Sequence, residues 1–193
     1  MSIRDPEDKK ERIFTSALRL FTERGFSATP MPELAKEAGI GAGTIYRYFK
    51  SKEELVNELY RFWKVKFLEN LKENFPKHAS TKEKFFHFWR QMGEFYKKHP
   101  QAFEFLELHS HAPYLDERSR KLTEDTLAYL VEFLEEARAK REIHTSLGSK
   151  ELLSLCYGSF VGLVKLCKGG FLVLEDTVQL QAGDVVWKGI SAE

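Results

Sequence analysis

Residues 31–49 constrain the fold more than any other part of the chain. Their order, Met-Pro-Glu-Leu-Ala-Lys-Glu-Ala-Gly-Ile-Gly-Ala-Gly-Thr-Ile-Tyr-Arg-Tyr-Phe, has the spacing of a helix-turn-helix. Ala35 falls where two helices approach most closely, and Gly39 can take the left-handed conformation of a turn without steric cost. Leu34, Ala38, Ile40, Ile45 and Tyr48 fall where apolar side chains would lock the pair together. Helices this short are not stable alone, so the pair must pack on something else. The preceding stretch supplies it. Ile13, Phe14, Ala17, Leu18 and Phe21 form one apolar stripe on a first helix over residues 6–24, closed by Gly25, with Asp5 placed to cap it ahead of Pro6.

The rest of the chain also repeats at helical spacing. Thr29 is placed to cap the second helix, with Pro30 at its first position and Gly39 at its end; a third helix is expected over residues 42–49. Ser51 then caps a long fourth helix to residue 75, with Glu53 and Glu54 in its first turn, where the helix dipole favours them. Beyond Pro76, helices are expected over 81–98, 100–110, 116–141, 150–168 and 177–190, separated by Pro100, Pro113, Gly148 and Gly169-Gly170. Only residues 171–174, Phe-Leu-Val-Leu, carry a short strand-like run. The expected fold is therefore all-α: a three-helix, helix-turn-helix domain over residues 1–54, then a larger helical domain over 55–193.

Hydrophobic residues make up 42% of the 193, enough for a real core. The most apolar run, 152–166, is interrupted by Ser154, Gly158, Ser159, Gly162 and Lys165 and falls short of the roughly 18–20 apolar residues of a membrane span. No membrane partner is expected. With no apolar signal region at the amino terminus, the expected location is cytoplasmic. Cys156 and Cys167 cannot make a disulfide framework; eleven residues apart on one helical face, they are expected to be a buried pair.

Over residues 13–59 the sequence resembles the TetR family of one-component transcriptional regulators. The resemblance rests on Leu20-Phe21 through Gly25-Phe26, on Thr29, on Ala35 to Ala38-Gly39, on Gly43-Thr44-Ile45-Tyr46 with Tyr48-Phe49, and on Ser51-Lys52-Glu53-Glu54-Leu55. It implies an all-helical homodimer whose third helix enters the major groove of double-stranded operator DNA. Carried over singly, it implies that Thr29 meets phosphate through its hydroxyl or N–H, that Gly43 permits close backbone approach, and that Thr44 faces the groove. It implies backbone contacts for Tyr46 and Tyr48, each of which also reads as a packed tyrosine, and a phosphate grip for Lys52. Many relatives have a serine and a polar or basic residue where this chain has Gly41-Ala42, so readout must lean on Thr44, Arg47 and DNA shape.

Residues 1–60 hold ten Lys+Arg and ten Asp+Glu, yet residues 39–52 contain Arg47, Lys50 and Lys52 and no acid. That local excess is what a phosphate backbone would meet. Lys9, Lys10 and Arg12 read equally as phosphate contacts or as a solvated face.

Residues 60–114 contain 14 Phe, Trp and Tyr. Most must be core, but rings on several helix faces also fit a cavity for a small hydrophobic or aromatic effector, with Trp63, Phe67, Phe88, Trp89, Phe105, His109 and Tyr129 as its expected lining. His109 and His111, two apart, point in different directions on a helix and poorly fit one metal ion. No metal and no cofactor are expected. The helix over 150–168 is apolar nearly all round and reads as covered on both sides, one by its own core and one by a second copy, with Gly158 and Gly162 allowing close approach. Leu155, Gly158 and Gly162, with Val178, Val185 and Val186 of the last helix, make the expected dimer interface.

These features point to a ligand-responsive DNA-binding regulator, a homodimeric repressor released from a palindromic operator. A second reading is a carrier for hydrophobic small molecules that uses the helix-turn-helix for protein contacts. No nucleophile–base constellation or glycine-rich phosphate loop argues for an enzyme.

Overall fold

The computed structural model describes residues 6–144 and 146–192, and among these it is built from helices without a strand. The order is α1 (Pro6–Arg24), α2 (Met31–Glu37), α3 (Ala42–Tyr48), α4 (Lys52–Lys72), α5 (Thr81–Lys98), α6 (Pro100–His109), α7 (Glu117–Ala139), α8 (Ser149–Lys168) and α9 (Asp176–Ile190). The Asp5 cap lies outside the described residues. Residues 171–174 form no strand: Leu174 turns inward while Phe171 and Val173 remain exposed.

Sequence signals set most of the helix ends. Ser51 caps α4 by accepting the Glu54 N–H at 3.1 Å, and Glu54 reaches back to the Lys50 N–H. Ser80 and Glu83 make the same reciprocal box ahead of α5. Thr29 does not cap α2. It is fully buried, its hydroxyl donates to the Gly25 carbonyl at 2.9 Å, and Pro30 occupies the cap position without a side-chain bond. The carbonyls left over at the end of α1 claim the hydroxyl first. α4 ends three residues before the expected 75, ahead of Asn74 at φ 53, and α7 ends at Ala139, ahead of Arg141 at φ 58.

The chain packs as two compact units. The first comprises residues 1–66 and 99–123, the second 67–98 and 124–193. These units differ from the division expected at residue 54, which rests on the helix-turn-helix pattern and not on packing. In the first unit the core is drawn from Ile13, Ala17 and Phe21 of α1, Leu34 and Ala35 of α2, Ile45 of α3 and Leu55, Val56, Leu59 and Tyr60 of α4, all buried, with α2 packed on both α1 and α3. α6 packs on α1 there, with Phe105 stacked on Phe21 at a ring separation of 6.4 Å. In the second unit, α5 and α9 hold one another through a reciprocal clasp. The Trp89 indole N–H donates to the Gln179 carbonyl at 2.6 Å, and the Gln179 amide donates to the Trp89 carbonyl at 2.8 Å. Gly93 and Gly183 have no side chain because one would overlap Gln179 or Trp89.

α8 is covered on one side within the chain. Leu152, Cys156, Phe160 and Val164 form its buried row, whereas Leu155, Gly158, Ser159, Gly162 and Leu166 are exposed. Only Cys156 of the expected cysteine pair is buried; Cys167, near the end of the helix, is partly exposed.

Candidate nucleic-acid interface and effector cavity

α3 is anchored by Ile45, which is fully buried, and by Phe49 at its C-cap. At 100° per residue this turns Gly43, Tyr46 and Arg47 to solvent, and all three are exposed, with Thr44 and Tyr48 partly so. A side chain at Gly43 would meet nothing within 4 Å, so the glycine leaves open space in front of the helix. The five expected residues of α3 thus share its partly or fully exposed surface, and the other two, Thr29 and Lys52, differ. Thr29 is withdrawn from it, because both its hydroxyl and its N–H, the latter on the Phe26 carbonyl at 3.3 Å, are satisfied inside. Lys52 donates to the Phe26 carbonyl at 2.7 Å and to the Ser27 carbonyl at 3.5 Å, with its ammonium 4.3 Å from the Phe26 ring centre, leaving one N–H donor for another partner.

Phe26 in turn stacks on Tyr114 at 4.0 Å. The Tyr114 hydroxyl shares a 2.5 Å hydrogen bond with His109 Nδ1, and its carbonyl accepts from the Asn57 amide at 2.8 Å. Asn57 Oδ1 accepts the Asp116 N–H, and Arg61 pairs with Asp116 at 2.7 Å. The connection between α6 and α7 is thus strapped to the first half of α4 and to the loop beneath Lys52. Burial pushes the His109 pKa down to about 4, and its Nε2 has no partner.

Four of the five basic residues of α1, all but Lys9, are committed. Lys10 pairs with Glu58 at 2.8 Å, Arg12 donates to the Gly39 carbonyl at 3.0 Å, and Arg19 and Arg24 pair with Glu37 and Glu33 of α2.

In the second unit a cavity of about 40 Å³ lies among Phe88, Trp89 and Met92 of α5, Phe133 of α7, and Cys156 and Tyr157 of α8. Of the seven expected lining residues, Phe88 and Trp89 reach it. Tyr129 packs behind Phe88 and against Phe75, and Phe67 meets Phe95 edge-on. Trp63, Phe105 and His109 belong to the first unit, where Trp63 packs on His99 and the other two sit against Phe21. Met92, Phe133, Cys156 and Tyr157 were not singled out for the lining. The 85-88-89-92 stripe on α5 was a signal for Met92, since those positions share one helical face. Burial pushes the Cys156 thiol up to about 12, which leaves it an unreactive apolar wall. No group of three His, Cys, Asp or Glu able to hold a metal occurs among the described residues, and no described helix is long and apolar enough to cross a membrane.

A short helix bearing exposed Tyr46 and Arg47, with Ile45 buried, following a second short helix after a glycine turn, is the layout of a helix-turn-helix. The family model described as "Bacterial regulatory proteins, tetR family" matches residues 13–59, and that described as "Tetracyclin repressor-like, C-terminal domain" matches residues 62–192. The chain belongs to the TetR family. An uncharacterized HTH-type transcriptional regulator of Haemophilus influenzae is 31% identical over 106 residues, covering 55% of this chain and 57% of that protein. The chain spans between about a quarter and somewhat over half of the length of the first curated relatives it matches. Among solved structures, a TetR family regulator from Marinobacter aquaeolei superposes with a TM-score of 0.85 at 19% identity, covering 97% of each chain. The regulator FadR of Bacillus subtilis, solved in complex with stearoyl-CoA, superposes with a TM-score of 0.74 at 20% identity, covering 93% of this chain and 98% of that one.

Proposed function

We propose that the protein is a homodimeric, ligand-responsive repressor acting in the cytoplasm. It reads a palindromic operator with one α3 per half-site and is released by a hydrophobic small molecule. The observation that carries the reading is the exposure of Tyr46 and Arg47 on a helix whose opposite face is fixed by Ile45. Thr44, Tyr46, Arg47, Tyr48 and Lys52 are the contact residues, and Gly43 lets the backbone approach. Half-site centres about 34–36 Å apart follow from one helical turn of DNA.

The exposed face of α8, with Leu155, Gly158 and Gly162, and the neighbouring Val178, Val185 and Val186 of α9 support a second copy as the partner. Two glycines one turn apart let helices approach closely. The cavity supports an effector whose buried part is hydrocarbon, because none of its lining residues carries a charge and an ion there would be costly. The stearoyl-CoA of the Bacillus subtilis regulator makes acyl chains the first class to try. At about 40 Å³ the cavity is far below the roughly 300 Å³ from which ligand pockets usually start, so the effector binds an opened form and shifts the protein towards it.

The test is selection of bound duplexes from a random pool, then affinity at two salt concentrations for wild type, Arg47→Ala and Tyr46→Phe, with and without acyl-CoA thioesters of graded chain length. A palindrome whose binding is salt-dependent, weakened by Arg47→Ala and relieved by one chain length is expected. Acyl binding by a protein that enriches no duplex would instead favour the carrier reading.

A further inference from the structure

The three arginines of α1 meet α2 in reverse order. Arg12 reaches the carbonyl of Gly39 just beyond α2, Arg19 reaches Glu37, and Arg24 reaches Glu33. The helices therefore run antiparallel, joined at three levels, and the two lower levels are ordinary ion pairs between half-exposed side chains. The Arg12 level differs in kind.

α2 ends in a left-handed residue, Gly39 at φ +63, with the Gly39 N–H on the Lys36 carbonyl at 3.0 Å and the Ile40 N–H on the Ala35 carbonyl at 2.9 Å. These bonds satisfy carbonyls inside the helix. The Gly39 carbonyl lies beyond them and takes Arg12 Nη2 at 3.0 Å, at the end of α2 where the helix dipole favours a cation. A Cβ on Gly39 would overlap that guanidinium, so residue 39 and Arg12 share one space. Asp8, one turn back on α1, lies 3.9 Å from the same guanidinium and helps orient it. Only Ile40 and Gly41 separate Gly39 from the first residue of α3, so a rotation of the Gly39 peptide is passed on to the reading helix with little chain to absorb it.

We propose that Arg12 is a positioning residue for DNA reading: it holds the Gly39 carbonyl and thereby fixes the turn that aims α3, and it does not neutralise a phosphate. The proposal rests on α3 being the DNA-reading helix.

The experiment measures affinity for the selected duplex over a salt series for wild type, Arg12→Ala, Arg12→Lys and Arg19→Ala, with the melting temperature of each. Arg12→Ala is expected to weaken binding about tenfold at every salt, the scale of one charge-assisted hydrogen bond, with the slope of log affinity against log salt unchanged. Arg12→Lys, whose ammonium can still donate to a carbonyl, should recover part of the loss. Arg19→Ala, which removes an α1–α2 ion pair without touching the turn, should stay within about twofold of wild type. In an Arg12→Ala background, the melting penalty of Gly39→Ala should be smaller than in wild type. A slope reduced by about one would mark Arg12 as a phosphate ligand and overturn the proposal. So would unchanged affinity in Arg12→Ala, or an equal loss in Arg19→Ala, which would make the effect one of general stability. A wild-type protein that selects no duplex would remove the DNA-reading premise itself, a failure distinct from any of these.

Discussion

His109 shows how one buried side chain ties stability to pH. Its folded pKa of about 4 lies below the ordinary 6.5, because burial among Phe21, Phe105 and Tyr114 penalises the charged ring. Between pH 6.5 and 4 the unfolded chain binds the proton that the folded one refuses, so stability falls as pH drops through that window and is flat above it, by about 3 kcal/mol for this residue. His87, also lowered by burial, acts in the same direction. Urea denaturation at pH 7.5 and 4.5 should show wild type losing clearly more stability than His109→Gln; equal losses would remove His109 as the cause. Neither this residue nor Thr29 was legible in the sequence. The sequence places His109 in a cavity lining and Thr29 against phosphate, and only Tyr114, Phe21 and the Gly25 carbonyl reveal where each is packed. Ile45, Tyr46 and Arg47 were legible, because in a helix that short one fixed apolar position decides which way the others turn.

At the scale of elements, periodicity located the helices and left their pairings open. An apolar stripe on α6 says that the helix has a buried face; it does not say that the face belongs to α1, some eighty residues earlier. This is why the sequence places Phe105 and His109 in a cavity lining, whereas both pack against Phe21 of α1. The clasp of α5 on α9 was equally invisible, since Trp89 and Gln179 lie ninety residues apart. Gln179→Ala leaves the Trp89 carbonyl without its amide donor inside the protein and should cost about 1–3 kcal/mol in urea denaturation, with the slope unchanged. Gly183→Ala would set a methyl 2.7 Å from the Trp89 ring and should cost a similar amount, roughly 1–3 kcal/mol by overpacking.

For the whole molecule, most of the exposed large apolar side chains lie on the second unit. Leu155 is 54% exposed and Val185 71%, on helices whose other faces are core. If a second copy covers them, Leu155→Glu or Val185→Glu should yield a folded monomer by analytical ultracentrifugation at micromolar concentration. Its operator affinity should fall by more than tenfold, because each half-site contact would then form alone. A dimer that survives both substitutions would place the interface elsewhere. The sequence signalled this surface through a helix too apolar for one chain to cover, which is a property of composition and survives ignorance of pairing.

The cavity bears on time as well as on affinity. At about 40 Å³, with the unbranched side chain of Met92 in its wall, it would admit an acyl effector of the kind proposed only while its walls are parted. The rate of effector uptake in stopped flow should therefore level off as effector concentration rises, the plateau being the frequency at which the walls part. Once seated, such an effector would leave only through the same rare openings. A sensor built in this way would average over brief surges of its signal, its memory set by the protein's own fluctuations rather than by the supply outside.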